Sequence, residues 1–337
     1  YSAAYQGMGG SYGEMRQYKK ALEAYQKAVD LDPNYAEAQY GLGWSLYHLD
    51  QIDDAIQPLL IAINLKPDLG AAHFSLGQTY AASGDFESAI EQFKETVRLI
   101  PIYPEAYIEL GNAYLKDRDY DLAIGAYQDA IELNPGFFEA FTAIGVAYTE
   151  SNRDKQAIEP LKNALKINPD DDVAYLNLGI AYKNLGQHEE AIEAFLELIR
   201  IRFKDPDAYF LLASEYFAED LYDDAIQRFK DAIRLYPDHI DAHFQLSQVY
   251  VETGDLEESL KEFEIVTQIQ PRNLEGHYRK GDIFQRLGND KSAAKSFEKA
   301  LMIDSDHTLA NYQLGLSYIK MDRHEDALEK FEKAIAS

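Results

Sequence analysis

The chain contains no cysteine, a single tryptophan, and far fewer basic than acidic residues, 32 against 58, for a formal charge of −26. Without cysteine there are no disulfides and no thiolate chemistry, a condition that suits cytoplasm and periplasm alike and leaves the compartment open. The acidic excess argues against a nucleic-acid ligand, because a phosphate backbone is held by Lys and Arg displacing counterions. No apolar run reaches the 18 residues of a membrane span, and the first residues lack a basic end followed by an apolar stretch. No stretch alternates polar and apolar with period two over a strand's length, so a β-sheet is not expected.

What is present is a period. Proline stands at 33, 67, 101, 135, 169, 237 and 271, always a multiple of 34 residues apart. A chain that repeats so short a unit has no single globular core, since each unit can bury its apolar face only against its neighbours. Aligning on the prolines gives one array of ten units, 2–35, 36–69, 70–103, 104–137, 138–171, 172–205, 206–239, 240–273, 274–307 and 308–337. The chain opens on what reads as the last position of a preceding unit and stops on a second helix without a polar cap. A segment of something longer is therefore expected, and Leu328, Phe331 and Ile335 would favour self-association through uncapped ends.

Each unit reads as two helices. In the fourth, Tyr107, Leu110, Gly111 and Tyr114 fall at the i, i+3, i+4, i+7 spacing of one helix face, and Tyr120, Ala123, Tyr127 and Ala130 mark a second face after the turn Asp117-Arg118-Asp119. Small residues recur where two helices approach closely: Gly9, Gly43, Gly77, Gly111, Gly145, Gly179, Gly281 and Gly315 on first helices, Ala21, Ala55, Ala89, Ala123, Ala157, Ala191, Ala225, Ala293 and Ala327 on second helices. Three places depart from the pattern. Phe203 replaces the closing proline of the sixth unit beside Leu198 and Pro206, where a changed twist or a hinge is one reading and an ordinary variant junction the other. Pro58 and Pro160 fall inside second helices, which should bend or start late. The glycines around Ser11 suggest a loosely held first helix.

The pattern resembles the tetratricopeptide repeat, carried for example by Tyr175, Leu178, Gly179, Tyr182, Ala191 and Phe195 in the sixth unit and similarly in the others. The resemblance covers the whole chain and implies an all-α solenoid of helix-turn-helix repeats wound as a right-handed superhelix. It also implies that first helices line a concave groove through positions 2, 5, 6, 9, 12 and 13 of each unit. Carried over position by position, the expected partner-binding residues are Tyr40, Trp44, Tyr47, Phe74, Phe210, Phe217, Phe244, Tyr278, Arg279 and Tyr312. Aromatic anchors flanked by polar groups concentrate binding energy at interfaces, although a position 5 ring can equally pack against the adjacent unit. Arg279 and Arg286 are expected to pair with Glu275 and Asp282 one turn away.

The charge is distributed unevenly. Units two to eight carry −4, −2, −5, −2, −2, −5 and −5, whereas the first, ninth and tenth carry 0, 0 and −1. An acidic middle would steer basic partners inward or simply keep the surface soluble.

Signals for chemistry are weak. Gly9-Gly10-Ser11-Tyr12-Gly13 matches the G-x-S-x-G elbow of serine hydrolases, but no strand precedes it and Gly9 and Tyr12 are repeat residues. His239 and His243 could bring two imidazoles to one helix face as metal ligands, yet His73, His243 and His277 share position 4, where other units place Tyr or Phe. No metal, no cofactor and no catalytic residue is expected. The expected function is a non-catalytic scaffold holding a protein or peptide segment, basic or bearing apolar anchors. Two other readings stay open: the repeat arm of a modular enzyme or of a polysaccharide-export protein, and a self-associating array. The resemblance bears on the subclasses as well. The carboxylate clamp of chaperone co-factors needs a basic position 5, absent here, and the asparagine ladder of O-linked N-acetylglucosaminyltransferase arms is represented only by Asn177 at position 6, with Asn112 at position 9.

Overall fold

The computed structural model describes residues 1–336, among which there are twenty α-helices and no strand. They fall into two compact units, Tyr1–Ala181 and Tyr182–Ser337. The first holds α1 (Ser2–Glu14), α2 (Tyr18–Leu31), α3 (Ala36–His48), α4 (Ile52–Leu65), α5 (Gly70–Ser83), α6 (Phe86–Leu99), α7 (Pro104–Lys116), α8 (Tyr120–Leu133), α9 (Phe138–Glu150), α10 (Asp154–Ile167) and most of α11 (Asp172–Asn184). The second holds α12 (His188–Ile201), α13 (Pro206–Ala218), α14 (Tyr222–Leu235), α15 (Ile240–Thr253), α16 (Leu256–Ile269), α17 (Leu274–Arg286), α18 (Asp290–Ile303), α19 (Thr308–Lys320) and α20 (His324–Ala336). The chain is an all-α repeat solenoid, with odd-numbered first helices and even-numbered second helices in each hairpin.

Within a hairpin the helices are held by a large residue of the second helix seated on a small residue of the first. Phe93 and Tyr127 are fully buried, and a Cβ at Gly77 or Gly111 would lie 2.7 or 2.5 Å from their rings. Burying one such ring is worth roughly 1.5–3 kcal/mol, more than the ~1 kcal/mol that a helical glycine forfeits against alanine. The recurrent second-helix alanines, from Ala21 to Ala327, are all fully buried. In the eighth unit serines take both small positions, and Ser259 Oγ donates to the Ser247 carbonyl at 2.7 Å.

The turn inside every hairpin has one geometry. At the same register the backbone takes positive φ, in Arg16, Asp50, Gly84, Arg118, Asn152, Gly186, Asp220, Gly254, Gly288 and Asp322. The next amide then reaches back five residues, as in Asp119 N to Tyr114 O at 2.9 Å and Arg153 N to Tyr148 O at 2.8 Å, which satisfies a carbonyl at the helix end.

Between hairpins the position 4 side chain locks the loop. Its donor reaches the carbonyl six residues earlier: Gln39 to Pro33 at 3.0 Å, His73 to Pro67 at 3.1 Å, Tyr107 to Pro101 at 3.3 Å, His243 to Pro237 at 2.9 Å and His277 to Pro271 at 3.0 Å. Because the acceptor is backbone, the bond survives where proline is replaced, from Tyr209 to Phe203 at 3.3 Å and from Asn311 to Ser305 at 2.9 Å. The departure at the sixth unit is local: α12 keeps the usual 14 residues, Leu198 is buried, and the Phe203 ring is 62% exposed.

One expectation is corrected here. Helices α4 and α10 do not start late despite Pro58 and Pro160; each spans 14 residues, as do the proline-free second helices from α2 to α18. The missing amide is a single bond in a helix whose face is already anchored by buried Leu59 or Leu161, the residue after each proline. The glycine-rich start of α1 makes room for rings, since a Cβ at Gly9 would lie 2.7 Å from Tyr25 and one at Gly13 2.9 Å from Trp44.

Candidate partner-binding face

In the first unit an aromatic group covers the junction of α2 and α3. Trp44 meets the Tyr18 ring edge-on at 5.6 Å and His48 at 4.4 Å, and His48 stacks on Tyr18 at 4.7 Å and meets Tyr47 at 5.3 Å. Burial lowers the His48 pKa, which favours the neutral imidazole within this group. Burial also raises the phenols of Tyr40 and Tyr47, which remain protonated donors. Trp44 thus clasps the first two hairpins through Gly13 and Tyr18, and its ring is half-buried.

Further along the same unit, Leu115, Phe138, Thr142, Ala143, Val146, Asp171 and Val173 line an open depression of about 320 Å³. Its residues lie at positions 1, 2, 5, 6, 9 and 12 of consecutive first helices, with Asp171 from the loop. Thr142 donates to Asp171, whose other oxygen accepts from Ala174 N at 3.1 Å, so this acid is held by its neighbours. Asn177 is bonded to Val173 O and Thr149, and Asn112 accepts from Tyr127 at 2.9 Å; both amides serve the repeat framework.

In the second unit the position 5 rings turn toward their own second helix and the following loop. Phe210 lies 5.9 Å from Phe229 and 5.1 Å from His239, Phe244 lies 5.3 Å from Phe263, and Tyr278 lies 5.8 Å from Phe297 and 5.5 Å from His307. In the first unit Phe74 does the same with Phe93 at 5.8 Å and Tyr103 at 5.0 Å. Tyr312 touches Phe331 at 5.9 Å yet remains 47% exposed. Phe217, half-buried, opens onto a depression of about 160 Å³ shared with Gln248, Val251, Glu252, Phe263, Arg279, Asp282 and Ile283. Arg279 is turned to Glu275 at 2.6 Å as expected, whereas Asp282 pairs with neither arginine, a correction to the pairing read from spacing. Arg279 is directed to Glu275, and Arg286 is exposed without an ion pair, so spacing by one turn did not decide the pairing.

Val251 and Asp282, at positions 12 and 9, were missed because aromatic content was the criterion; scanning those positions for any side chain finds both. A second residue hidden from pattern reading is Glu215 on α13, where other units carry Ser, Thr, Ala, Val or Ile. Its carboxylate is 2% exposed, 2.8 Å from His188 Nδ1 and 3.7 Å from Lys183 Nζ. The signal was a charge at a packing register.

The histidines considered as ligands have other duties. His239 Nδ1 accepts from Ala242 N at 3.3 Å at the start of α15, and its Nε2 lies 3.2 Å from Asp207. His243 donates to Pro237 and meets Glu262 at 2.5 Å; burial pulls its pKa down, but the bonds to Glu262 and the carbonyl prevail and leave it raised. Among the described residues no three His, Cys, Asp or Glu side chains are grouped to hold a metal, and no helix is long and apolar enough to cross a membrane. Ser11 lies within α1, and its hydroxyl donates to Gly7 O at 3.0 Å.

The chain belongs to the tetratricopeptide-repeat family: the family model described as Cilia and flagella-associated protein 70 C-terminal domain matches residues 64–270, well over half of the chain. Models described as TPR repeat and Tetratricopeptide repeat match residues 11–50, 274–307 and 309–337. Among solved structures, one titled for the functional characterization of Pseudomonas aeruginosa pilF aligns with a TM-score of 0.52 at 17% identity, covering 61% of this chain and 94% of that one. The MamA protein aligns with a TM-score of 0.47 at 28% identity, covering 50% of this chain and 92% of that one. YrrB, titled a TPR protein with an unusual peptide-binding site, aligns with a TM-score of 0.48 at 21% identity, covering 55% and 95%. No curated protein matches the chain.

Proposed function

We propose that this array is a non-catalytic scaffold that holds a segment of a protein partner against the face formed by its first helices. The observation that carries this reading is an open depression on the first helices of each compact unit, about 320 Å³ in the first and 160 Å³ in the second, each lined mainly by consecutive first helices and each combining apolar and carboxylate side chains. Such surfaces suit side chains of an extended or helical segment, where apolar contact supplies affinity and polar rims supply register. Tetratricopeptide arrays are in general protein-interaction scaffolds, which agrees with this assignment.

The expected contact residues divide by what they already touch. Trp44, Tyr47, Phe217 and Tyr312 retain surface for a partner. Tyr40, Phe74, Phe210, Phe244 and Tyr278 are half-buried, and the last four set their rings against the second helix of their own repeat, so they shape the face more than they grip. Arg279 is held by Glu275 and serves as a rim group.

Capture from native extract with paired variants tests the proposal. Val173, 40% exposed at the first depression, becomes Lys in one variant; Leu122, 53% exposed on the second helix α8, becomes Lys in the other. A partner retained by the wild type and by Leu122→Lys but lost with Val173→Lys supports the assignment. Equal retention by both variants, or loss with both, refutes it.

A further inference from the structure

Resting on that scaffold reading, we infer that the depression between α13, α15 and α17 takes one cationic side chain of the partner, arginine or lysine. Its volume of about 160 Å³ is the first constraint. Small-molecule sites run to roughly 300–1,000 Å³, so this one admits a side chain rather than a metabolite.

The lining sets the chemistry. Phe263 and Ile283, each 1% exposed, form an apolar floor, and the half-buried Phe217 and Val251 rise beside it. This is a surface for an aliphatic stem or for a guanidinium plane over a ring. At the rim stand two carboxylates from different helices, Glu252 of α15 and Asp282 of α17. Neither makes an ion pair with a cation among the described residues. Arg279, which lines the depression, is bonded to Glu275 at 2.6 Å, Lys280 reaches Glu264 at 3.7 Å, and Arg286, one turn beyond Asp282, is exposed and makes no ion pair with either acid. An acidic or C-terminal carboxylate guest would meet two like charges and only one arginine, itself already neutralised. A cation meets two open acceptors, and a guanidinium can fork across them.

The surroundings point the same way. The seventh and eighth units, which supply α13 and α15, carry −5 each, a field that favours approach of a cation before contact.

The test is selection of displayed random peptides on the whole wild-type protein and on Glu252→Gln/Asp282→Asn, with thermal melting to establish that the variant is folded. We expect the wild-type pool to fix Arg or Lys at one register while keeping other preferred positions, and the variant pool to lose only that cation. A peptide synthesised from the wild-type pool should bind the double variant about tenfold more weakly. Its affinity for Phe217→Ala should also fall, because the stem loses its wall. Enrichment without a fixed cation, or the same cation on both proteins, overturns the pocket assignment and leaves the scaffold reading standing. No enrichment on either protein overturns both.

Discussion

At the scale of single residues, the most unusual placement is Glu215. Burying a carboxylate is expensive unless it is paired and hydrogen-bonded, and here the pairing is made by His188 at 2.8 Å with Lys183 further off at 3.7 Å. The two ways of breaking this group should differ. His188→Ala leaves a carboxylate 2% exposed with one distant partner, and loss of one member of a buried pair costs about 3–5 kcal/mol. Glu215→Ala removes the buried charge itself and installs the residue that Ala113, Ala147 and Ala181 show at the same register, leaving His188 and Lys183, 30% and 41% exposed, to reach water. We expect the second change to be nearly neutral, and urea midpoints of the two variants to rank accordingly. The opposite ranking would mean that Glu215 contributes net stability rather than a charge to be neutralised. The same scale shows where reading the sequence fell short. Position 4 looked like an aromatic packing site because Tyr and Phe are frequent there. Its shared property among Gln39, His73, Tyr107, His243 and Asn311 is a donor of the right reach for a loop carbonyl, a feature that hydrophobic periodicity does not encode.

At the scale of the helix pair, the period alone gave the number of hairpins, their lengths and the small-against-large contacts, because those depend on side-chain volume at a fixed register. The turn was less legible. All ten hairpins use a left-handed residue, but only four of them place glycine there, at Gly84, Gly186, Gly254 and Gly288. Asp and Asn tolerate this conformation; Arg118, with φ of 66°, has no such excuse and is solvent-exposed. Relieving it should outweigh the extra unfolded-state freedom of glycine, so Arg118→Gly is expected to stabilise the protein by about 0.5–1 kcal/mol. Asp220→Gly, from the same φ region at 57°, should change little. Thermal unfolding of both variants checks this, and a destabilised Arg118→Gly would show that the arginine earns its place through contacts outside the turn. The prolines at 58 and 160 taught the converse: a propensity rule read correctly at the residue was overruled by packing of the whole helix.

At the scale of the molecule, the helices within each compact unit contact their chain neighbours, and first helices also contact the next first helix, as α1 does α3, α3 does α5, α13 does α15 and α17 does α19. A structure built this way has no common core through which a defect must spread, and its stability is close to a sum of hairpin and neighbour terms. Gly111→Leu exposes the consequence. The new side chain meets the buried Tyr127 ring, which a Cβ alone would approach to 2.5 Å, and overpacking there costs about 1–3 kcal/mol. Hydrogen exchange should then lose protection in α7 and α8 and, more weakly, in the flanking α5, α6, α9 and α10. Helices α17 to α20, which belong to the other compact unit, should exchange at wild-type rates. Uniform loss of protection along the chain would instead make the array a single cooperative unit, and with it the two depressions would cease to be independent surfaces that one substitution can silence without the other.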